Sequence, residues 1–134
     1  MLKAFLATMA TGIVLDLIWM GLIIGKYYKR EVGTLMRLKP DGNLDIQWPA
    51  AIGVYVCIAA GILFFVLPKI SDDQSPWAVL PWGFLFGLVL YGVYEFTNYA
   101  LLKDWTLGIT LVDWAWGGVL CAVSSLVAVY VSRL

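Results

Sequence analysis

The side chains best suited to chemistry lie in one stretch, residues 91–118, YGVYEFTNYALLKDWTLGITLVDWAWGG. It carries Glu95, Asn98 and Asp113 inside an otherwise apolar chain. A carboxyl group can exchange a proton, pair with a cation or act as a general acid or base. An ionised carboxylate at the centre of a bilayer costs at least about 2.5–3.5 kcal/mol on insertion scales, so acids in membrane helices usually indicate a function.

Helical spacing places these polar groups on defined faces. The third predicted helix has a polar and aromatic face with the spacing i, i+3, i+4 and i+7, made of Tyr91, Tyr94, Glu95 and Asn98. Equivalent faces on the first and fourth helices hold Gly12, Asp16 and Trp19, and Asp113, Trp116 and Gly117. Three helices therefore each offer an acid with aromatic neighbours, and we expect these faces to turn inward.

No Lys or Arg lies within any predicted span to neutralise Asp16, Glu95 or Asp113. Glu95 and Asp113 lie at similar depths on consecutive antiparallel helices, so they can face one another. Loss of hydration and mutual repulsion both disfavour the ionised form. We therefore expect at least one of the three acids to carry a proton at neutral pH. Helix-to-helix hydrogen bonding is the structural alternative, but such bonds contribute only about 0.6 kcal/mol on average.

The pattern Asp-x-x-Trp-x-Gly occurs twice, at residues 16–21 and 113–118. An Asp and a Trp three positions apart share a helix face, where the indole N–H can donate to a neighbouring polar group. The two copies lie on the first and fourth helices, which does not fit a simple repeat of two helical hairpins. The pattern leaves chance and internal duplication both open.

Composition decides the class of protein. The 134 residues are 62% hydrophobic and 13% charged, whereas soluble domains average about 45–50% apolar and about 25% charged residues. About 20 apolar residues cross a bilayer as a helix. We predict an all-α, four-transmembrane-helix bundle in a single domain, 1–134, with spans at about 4–25, 48–68, 77–102 and 108–131.

The first loop, residues 26–47, contains a partial helical stripe that predicts a short interfacial helix, made of Val32, Leu35, Met36 and Leu38. The residues Pro40-Asp41-Gly42-Asn43 are a turn signature that ends it. Two small-residue patterns, Gly53/Cys57/Gly61 and Gly83/Gly87, predict close helix contacts. We expect the aromatic belts to include Trp48 and Trp105 on one side, with Trp77 and Trp82 on the other, which leaves Trp19, Trp114 and Trp116 deep enough for a pocket.

Composition also excludes several classes of function. Nine basic and nine acidic residues give no net charge, so nothing suggests a nucleic-acid partner. The chain has no His, and its two cysteines, Cys57 and Cys121, lie in apolar runs, where we interpret them as small buried hydrophobic residues. We therefore predict no metal site and no cofactor.

The distribution of basic residues predicts the orientation. Six lie in the first and third loops and three on the opposite side, the latter being Lys3, Lys69 and Arg133. The first and third loops should therefore be cytoplasmic and both termini outside. Glu95, Asn98 and Asp113 would then lie in the cytoplasmic half.

A resemblance rests on several of these residues together: Asp16-x-x-Trp19, Tyr28…Gly33, Tyr91-x-x-Tyr94-Glu95-x-Thr97-Asn98 with Trp105, and Asp113-x-x-Trp116-Gly117. Over essentially its whole length the chain resembles a bacterial family of predicted membrane proteins, domain of unknown function 2177. Position 95 holds Glu where the resemblance leads us to expect Asp. The substitution keeps the carboxyl charge and lengthens the side chain by one methylene. The resemblance implies a four-helix membrane protein of the bacterial inner (cytoplasmic) membrane, and it brings no established activity or cofactor.

Three functions remain open. The favoured one is a module that binds or transports a small amphipathic, cationic or lipid-like ligand at a protonatable site. Proton exchange on the acids would drive the transport, and a homodimer would be needed to enclose the transport path. The second is an intramembrane acid–base enzyme acting on a lipid or isoprenoid, which is less favoured because no nucleophile, nucleotide or metal motif is present. The third is an accessory subunit that binds a partner membrane protein through its small-residue faces. A water-accessible pocket beside Glu95 and Asp113 would favour the first two.

Overall fold

The computed structural model describes the whole chain, Met1–Leu134. Four helices are long and apolar enough to cross a membrane: Leu2–Ile23, Trp48–Lys69, Pro76–Leu101 and Leu107–Ser132. The chain contains no β-strand, only one isolated antiparallel bridge between Leu38 and Leu44. The predicted all-α, four-helix fold class is therefore confirmed.

Five α-helices follow in chain order: α1 (Leu2–Ile18), α2 (Gly25–Val32), α3 (Trp48–Gly61), α4 (Leu80–Leu101) and α5 (Leu107–Ser132). Helices α1 and α3 each continue through a wider π-helical turn, at Trp19–Ile23 and Ile62–Val66. A turn of 3₁₀ helix, Pro76–Val79, leads into α4. Because a π turn shifts the helical register, the one at Trp19 changes the direction in which that indole leaves α1 relative to a regular helix.

Helix α5 is the centre of the bundle, since α4 packs along it and α1 packs against it from another side. Glycines allow α4 to approach closely. A Cβ on Gly83 would lie 2.6 Å from the Ser125 hydroxyl, and a Cβ on Gly87 would collide with the carbonyl of Gly117. The predicted close contact at Gly83 and Gly87 is therefore real, and it is made within this chain, so this pair does not offer a face to a partner protein.

The close helix contact predicted along Gly53, Cys57 and Gly61 does not form in the first half of α3. A Cβ on Gly53 would meet nothing within 4 Å, and Cys57 is exposed, whereas Cys121 is buried as expected. Only Gly61 makes a close contact, with the Phe86 ring. The reason is that α3 joins the apolar core through Ile58 and the π turn that follows, while residues 48–57 diverge from α4.

A short helix is present in the first loop, as predicted, but it begins earlier than the apolar stripe suggested. It is α2, anchored by Tyr28 and Val32, which are four positions apart and pack on Ile109 at the start of α5. Residues 33–35 form a 3₁₀ turn, and Leu38 is extended because it pairs with Leu44. The predicted turn forms between them: Asp41 accepts the backbone N–H of Asn43 at 2.9 Å.

Candidate functional site

A cavity of about 600 Å³ lies between α3 and the other three long helices. It exists because α4 contacts α3 mainly through the π turn Ile62–Val66, so the first half of α3 leaves a gap. Ten of the 13 lining residues are hydrophobic, and two carboxyl groups, Asp16 and Asp113, are among the rest. No basic side chain lines the cavity. The space therefore combines apolar and aromatic walls with acids that have no cationic partner.

Asp16 is held by two neighbouring helices. The Tyr55 hydroxyl on α3 donates to Oδ2 at 2.8 Å, and the Trp116 indole on α5 donates to Oδ1, also at 2.8 Å. Each carboxyl oxygen thus has one donor from a different helix. This arrangement fixes the position of Asp16 and joins α1, α3 and α5 at one point.

The two copies of the Asp-x-x-Trp pattern meet face to face. The rings of Trp19 and Trp116 stack with their centroids 4.3 Å apart and an angle of 2° between their planes. Trp116 donates to Asp16 of the other copy, as the spacing led us to expect of such an indole. The reciprocal bond, from Trp19 to Asp113, is not made: Trp19 Nε1 forms no hydrogen bond of good geometry, and the polar group beside it is the Tyr28 hydroxyl.

Glu95 is fully buried, with 0% of its surface exposed. Trp105 donates to its Oε2 at 3.0 Å, whereas its Oε1 has no partner in the protein. Trp105, which we expected in an aromatic belt, therefore has a contact with a buried acid that the sequence did not predict. The connection between α4 and α5 is only five residues long, 102–106, so it folds Trp105 back over the last turns of α4, where its ring also packs edge-on against Tyr94.

Asp113 is half-buried and lines the cavity. Its carboxyl group lies close enough to interact with Glu95 and with the Tyr28 hydroxyl. Neither Glu95 Oε1 nor Tyr28 Oη forms a hydrogen bond of good geometry. Asp113 is therefore held less firmly than Asp16, which receives two short hydrogen bonds. Burial, together with the nearby Asp113 charge, raises the pKa of the Tyr28 hydroxyl well above its usual value, so Tyr28 keeps its proton.

The comparison with known proteins decides the family. A family model described as Predicted membrane protein (DUF2177) matches residues 1–130. The chain belongs to this family. It matches no curated protein and no solved structure at a significant level. Membership in DUF2177 confirms the resemblance noted from the sequence and supports a membrane protein, while the family description names no activity.

The structure brings most of the predicted site residues of this DUF2177 member to one place. The cavity is lined by five of them: Asp16, Trp19, Tyr91, Tyr94 and Asp113. Trp116 borders it through its contacts with Asp16 and Trp19. Glu95 does not line the cavity but lies beside Asp113. Asn98 is half-buried on α4 beside Tyr94 and is not part of the lining. That these residues form a functional site stays a prediction.

Two residues of the site were missed. Tyr55 is the only hydroxyl group in the predicted second span, which was the available signal for its bond to Asp16. Tyr28 looks like an interfacial aromatic residue because it stands in a basic segment, and only the packing of α2 on α5 brings it to Asp113. Trp114, by contrast, was considered for the pocket, but it donates to the Leu88 carbonyl at 2.8 Å and joins α4 to α5.

Proposed function

We propose that this protein binds a small amphipathic molecule, cationic or lipid-like, in the cavity beside Asp16 and Asp113. The observation that carries the proposal is the cavity itself: about 600 Å³ of mostly apolar space with two carboxyl groups and no basic residue. Sites for small molecules usually measure about 300–1,000 Å³ and combine apolar walls with a few convergent polar groups. An apolar body would contact Val54, Ile58 and Leu90, and a polar head would meet the acids.

The acids give such a site a means of control. A carboxyl group that gains or loses a proton changes its attraction for a cation and its ability to donate or accept a hydrogen bond. Protonation at Asp113 or Glu95 would therefore alter ligand binding, and alternating exposure of the cavity would couple ligand movement to proton movement. Transport of this kind would require a second copy or a large helix movement to complete a path. The carboxyls lie toward the side of the first and third loops, which we propose to be cytoplasmic.

Two other functions make different demands on the same residues. An acid–base enzyme would use Glu95 and Asp113 as its pair, and their proximity favours keeping this candidate second. An accessory subunit would need its acids only as links between helices. Asp16, with its two hydrogen bonds to other helices, fits that role, whereas Asp113 lines the cavity. Conversion of a lipid or isoprenoid by the purified protein would favour the enzyme over the binding module.

Cys57 provides the test, because it is exposed and lines the cavity, whereas Cys121 is buried. The protein in lipid nanodiscs is labelled with N-ethylmaleimide in the presence of decyltrimethylammonium, 1-decanol or decane sulfonate. We expect the cation, the alcohol or both to slow labelling of Cys57 by at least fivefold at saturation. The sulfonate should have no effect, because two acids and no basic residue surround the head group.

Two controls define the result. Cys57→Ser measures any labelling at Cys121, and Gly53→Trp fills the cavity from the open face of α3 and should abolish protection by every probe. Failure of both the cation and the alcohol to slow labelling of Cys57 would contradict the proposal. The orientation is tested separately by fusing alkaline phosphatase or a green fluorescent protein to the C-terminus, where the phosphatase alone should be active.

A further inference from the structure

A second, smaller cavity lies between α1, α3 and the first loop, and we call it the outer groove. It measures about 230 Å³, and nine of its 11 lining residues are hydrophobic. Its walls come from the first span, the first loop and the start of α3, and they include Leu17, Leu44 and Ile52. Asp16 and Tyr55 line both cavities. Their hydrogen bond therefore stands between the outer groove and the larger cavity.

The outer groove is accessible from outside the bundle. Three of its apolar side chains are largely exposed: Leu17 by 57%, Trp48 by 59% and Ile52 by 50%. Asp16 is the only acid in its lining. Both oxygens of Asp16 already accept a hydrogen bond, from Tyr55 and from Trp116. The outer groove therefore offers exposed apolar surface to a molecule that arrives from the bilayer.

The length and depth of the outer groove match one leaflet of a membrane. On the first span, Leu2–Ile23, its lining runs from Ile13, near the middle, to Gly21, close to the end. At 1.5 Å per residue this distance is roughly 12 Å. One leaflet contributes about half of a hydrocarbon core that is about 30 Å thick. An acyl chain in the outer groove would therefore place its head group level with the first loop.

A short hairpin of the first loop covers that end of the outer groove. Leu44 lines the groove and forms an antiparallel bridge with Leu38. The backbone N–H of Asp45 donates to the Arg37 carbonyl at 2.9 Å, which holds the hairpin closed. Arg37 and Lys39 stand on either side of Leu38, and both are exposed. Two basic side chains thus flank the apolar residues at the mouth of the groove.

The first loop carries positive charge that the protein does not neutralise. Residues 26–47 contain three acids, Glu31, Asp41 and Asp45. The five basic residues of this segment are all exposed: Lys26, Lys29, Arg30, Arg37 and Lys39. The only ion pair in the chain joins Arg30 to Glu31, at 3.1 Å. The other four basic residues have no acidic partner within the chain.

Lys29 belongs to the same charged surface as the hairpin. Hydrogen bonds from Asn43, with a smaller contribution from the charge of Lys29, lower the pKa of the Asp41 carboxyl group. Lys29 on α2 therefore lies near the turn of the hairpin. The packing of Tyr28 and Val32 on Ile109 fixes α2 in this position. Basic side chains from two parts of the loop consequently meet near the outer groove.

We propose that the outer groove holds one acyl chain of an anionic phospholipid, whose phosphate lies among Lys29, Arg37 and Lys39. The chain packs along Leu17 and Ile52, and the second chain stays in the surrounding bilayer. Basic residues beside a membrane attract anionic lipids, whereas a zwitterionic lipid offers the same chain without net charge. The inference does not depend on the ligand of the larger cavity, because it uses none of the residues that line that cavity alone.

The test compares two phospholipids that differ only in the head group. Native mass spectrometry measures how much phosphatidylglycerol and phosphatidylcholine, with identical acyl chains, the detergent-solubilised protein retains from an equimolar mixture. Each Lys or Arg beside an anionic lipid contributes roughly fivefold in affinity. We therefore expect the protein to retain phosphatidylglycerol with at least about tenfold preference.

Two pairs of variants assign the head group and the chain. The double variant Arg37→Gln/Lys39→Gln should lower the preference at least about fivefold, since the hairpin is held by backbone bonds that remain. Lys3→Gln/Lys103→Gln removes the same charge from exposed positions outside the first loop and should keep the preference.

For the chain, Leu17→Trp places a bulky ring in the outer groove and should reduce retention of both lipids at least about threefold. Leu22→Trp makes the same change at a side chain that is exposed and lines neither cavity, so it should retain lipid like the native protein.

Equal retention of the two lipids by the native protein overturns the proposal. A preference that survives in Arg37→Gln/Lys39→Gln, or that falls equally in Lys3→Gln/Lys103→Gln, overturns the assignment of the phosphate to the first loop. Native retention by Leu17→Trp overturns the assignment of the chain to the outer groove. Protection of Cys57 by the probes of the larger cavity is a separate measurement, so failure of either proposal leaves the other standing.

Discussion

The indole nitrogen of Trp116 lies 2.8 Å from Oδ1 of Asp16, a bond between residues 100 positions apart in the chain. Trp116→Phe removes this bond and keeps a ring to stack on Trp19. Hydrogen bonds between membrane helices contribute about 0.6 kcal/mol on average and at most about 1.7 kcal/mol. We expect the free energy of unfolding to fall by an amount in this range, measured by titration with SDS in mixed micelles.

Trp77→Phe is the matched control, because Trp77 is 59% exposed and makes no hydrogen bond to an acid. It should change the free energy of unfolding by less than about 0.5 kcal/mol. Equal destabilisation by the two substitutions would contradict a stabilising role for the bond between Asp16 and Trp116.

The buried Glu95 side chain accepts a hydrogen bond from Trp105. Two substitutions at position 95 separate the contribution of this bond to stability from that of the carboxyl charge. Glu95→Gln keeps an oxygen that accepts the Trp105 N–H, so it should unfold within about 1 kcal/mol of the native protein. Glu95→Met has similar volume but no strong acceptor, so it should be destabilised by about 1–3 kcal/mol because the buried indole N–H loses its partner. SDS unfolding measures both.

The same position tests the protonatable site. Glu95→Gln and Asp113→Asn should each express like the native protein but lose any dependence of probe binding on pH, because an amide does not titrate. Protection of Cys57 by decyltrimethylammonium is measured across the range in which carboxyl groups titrate. If both variants kept the pH dependence of the native protein, Glu95 and Asp113 would not be the protonatable groups of the site.

The glycines of α4 and α3 give a matched pair of alanine substitutions. Gly87→Ala places a methyl group against the Gly117 carbonyl of α5, so we expect overpacking to cost about 1–3 kcal/mol. Gly53→Ala meets nothing within 4 Å, so it should be neutral or should stabilise α3 by up to about 1 kcal/mol through its helix propensity. Similar unfolding energies for the two variants would argue against the close packing of α4 on α5.

The protonation of the acids can be observed directly. We expect at least one of Asp16, Glu95 and Asp113 to be protonated at neutral pH, because three carboxyl groups share a bilayer interior without a basic side chain. Infrared difference spectroscopy of the protein in lipid should detect the C=O stretch of a carboxylic acid. This band should weaken in the variant with Asn or Gln at the protonated position, and its absence would mean that all three acids are ionised.

The sequence by itself determined the class of protein and the faces of its helices. Apolar runs of about 20 residues allow little except membrane helices, because every backbone polar group must be satisfied within lipid. Helical periodicity then placed Tyr91, Tyr94 and Glu95 on one face without knowledge of any neighbour. The close contact at Gly83 and Gly87 was also readable, since small residues four apart are a local pattern.

Only the tertiary structure decided which polar groups are paired and which are free. Asp16 and Asp113 look equivalent in the sequence, because both begin an Asp-x-x-Trp pattern. They differ because Tyr55 and Trp116 each donate a short hydrogen bond to Asp16 from another helix, whereas Asp113 lies on the cavity beside Tyr28 and Glu95. Likewise, Gly53 looked like a packing residue, and it borders a cavity because α3 diverges from α4 before the π turn at Ile62. Distances between helices depend on the whole bundle, so no single segment of the sequence contains them.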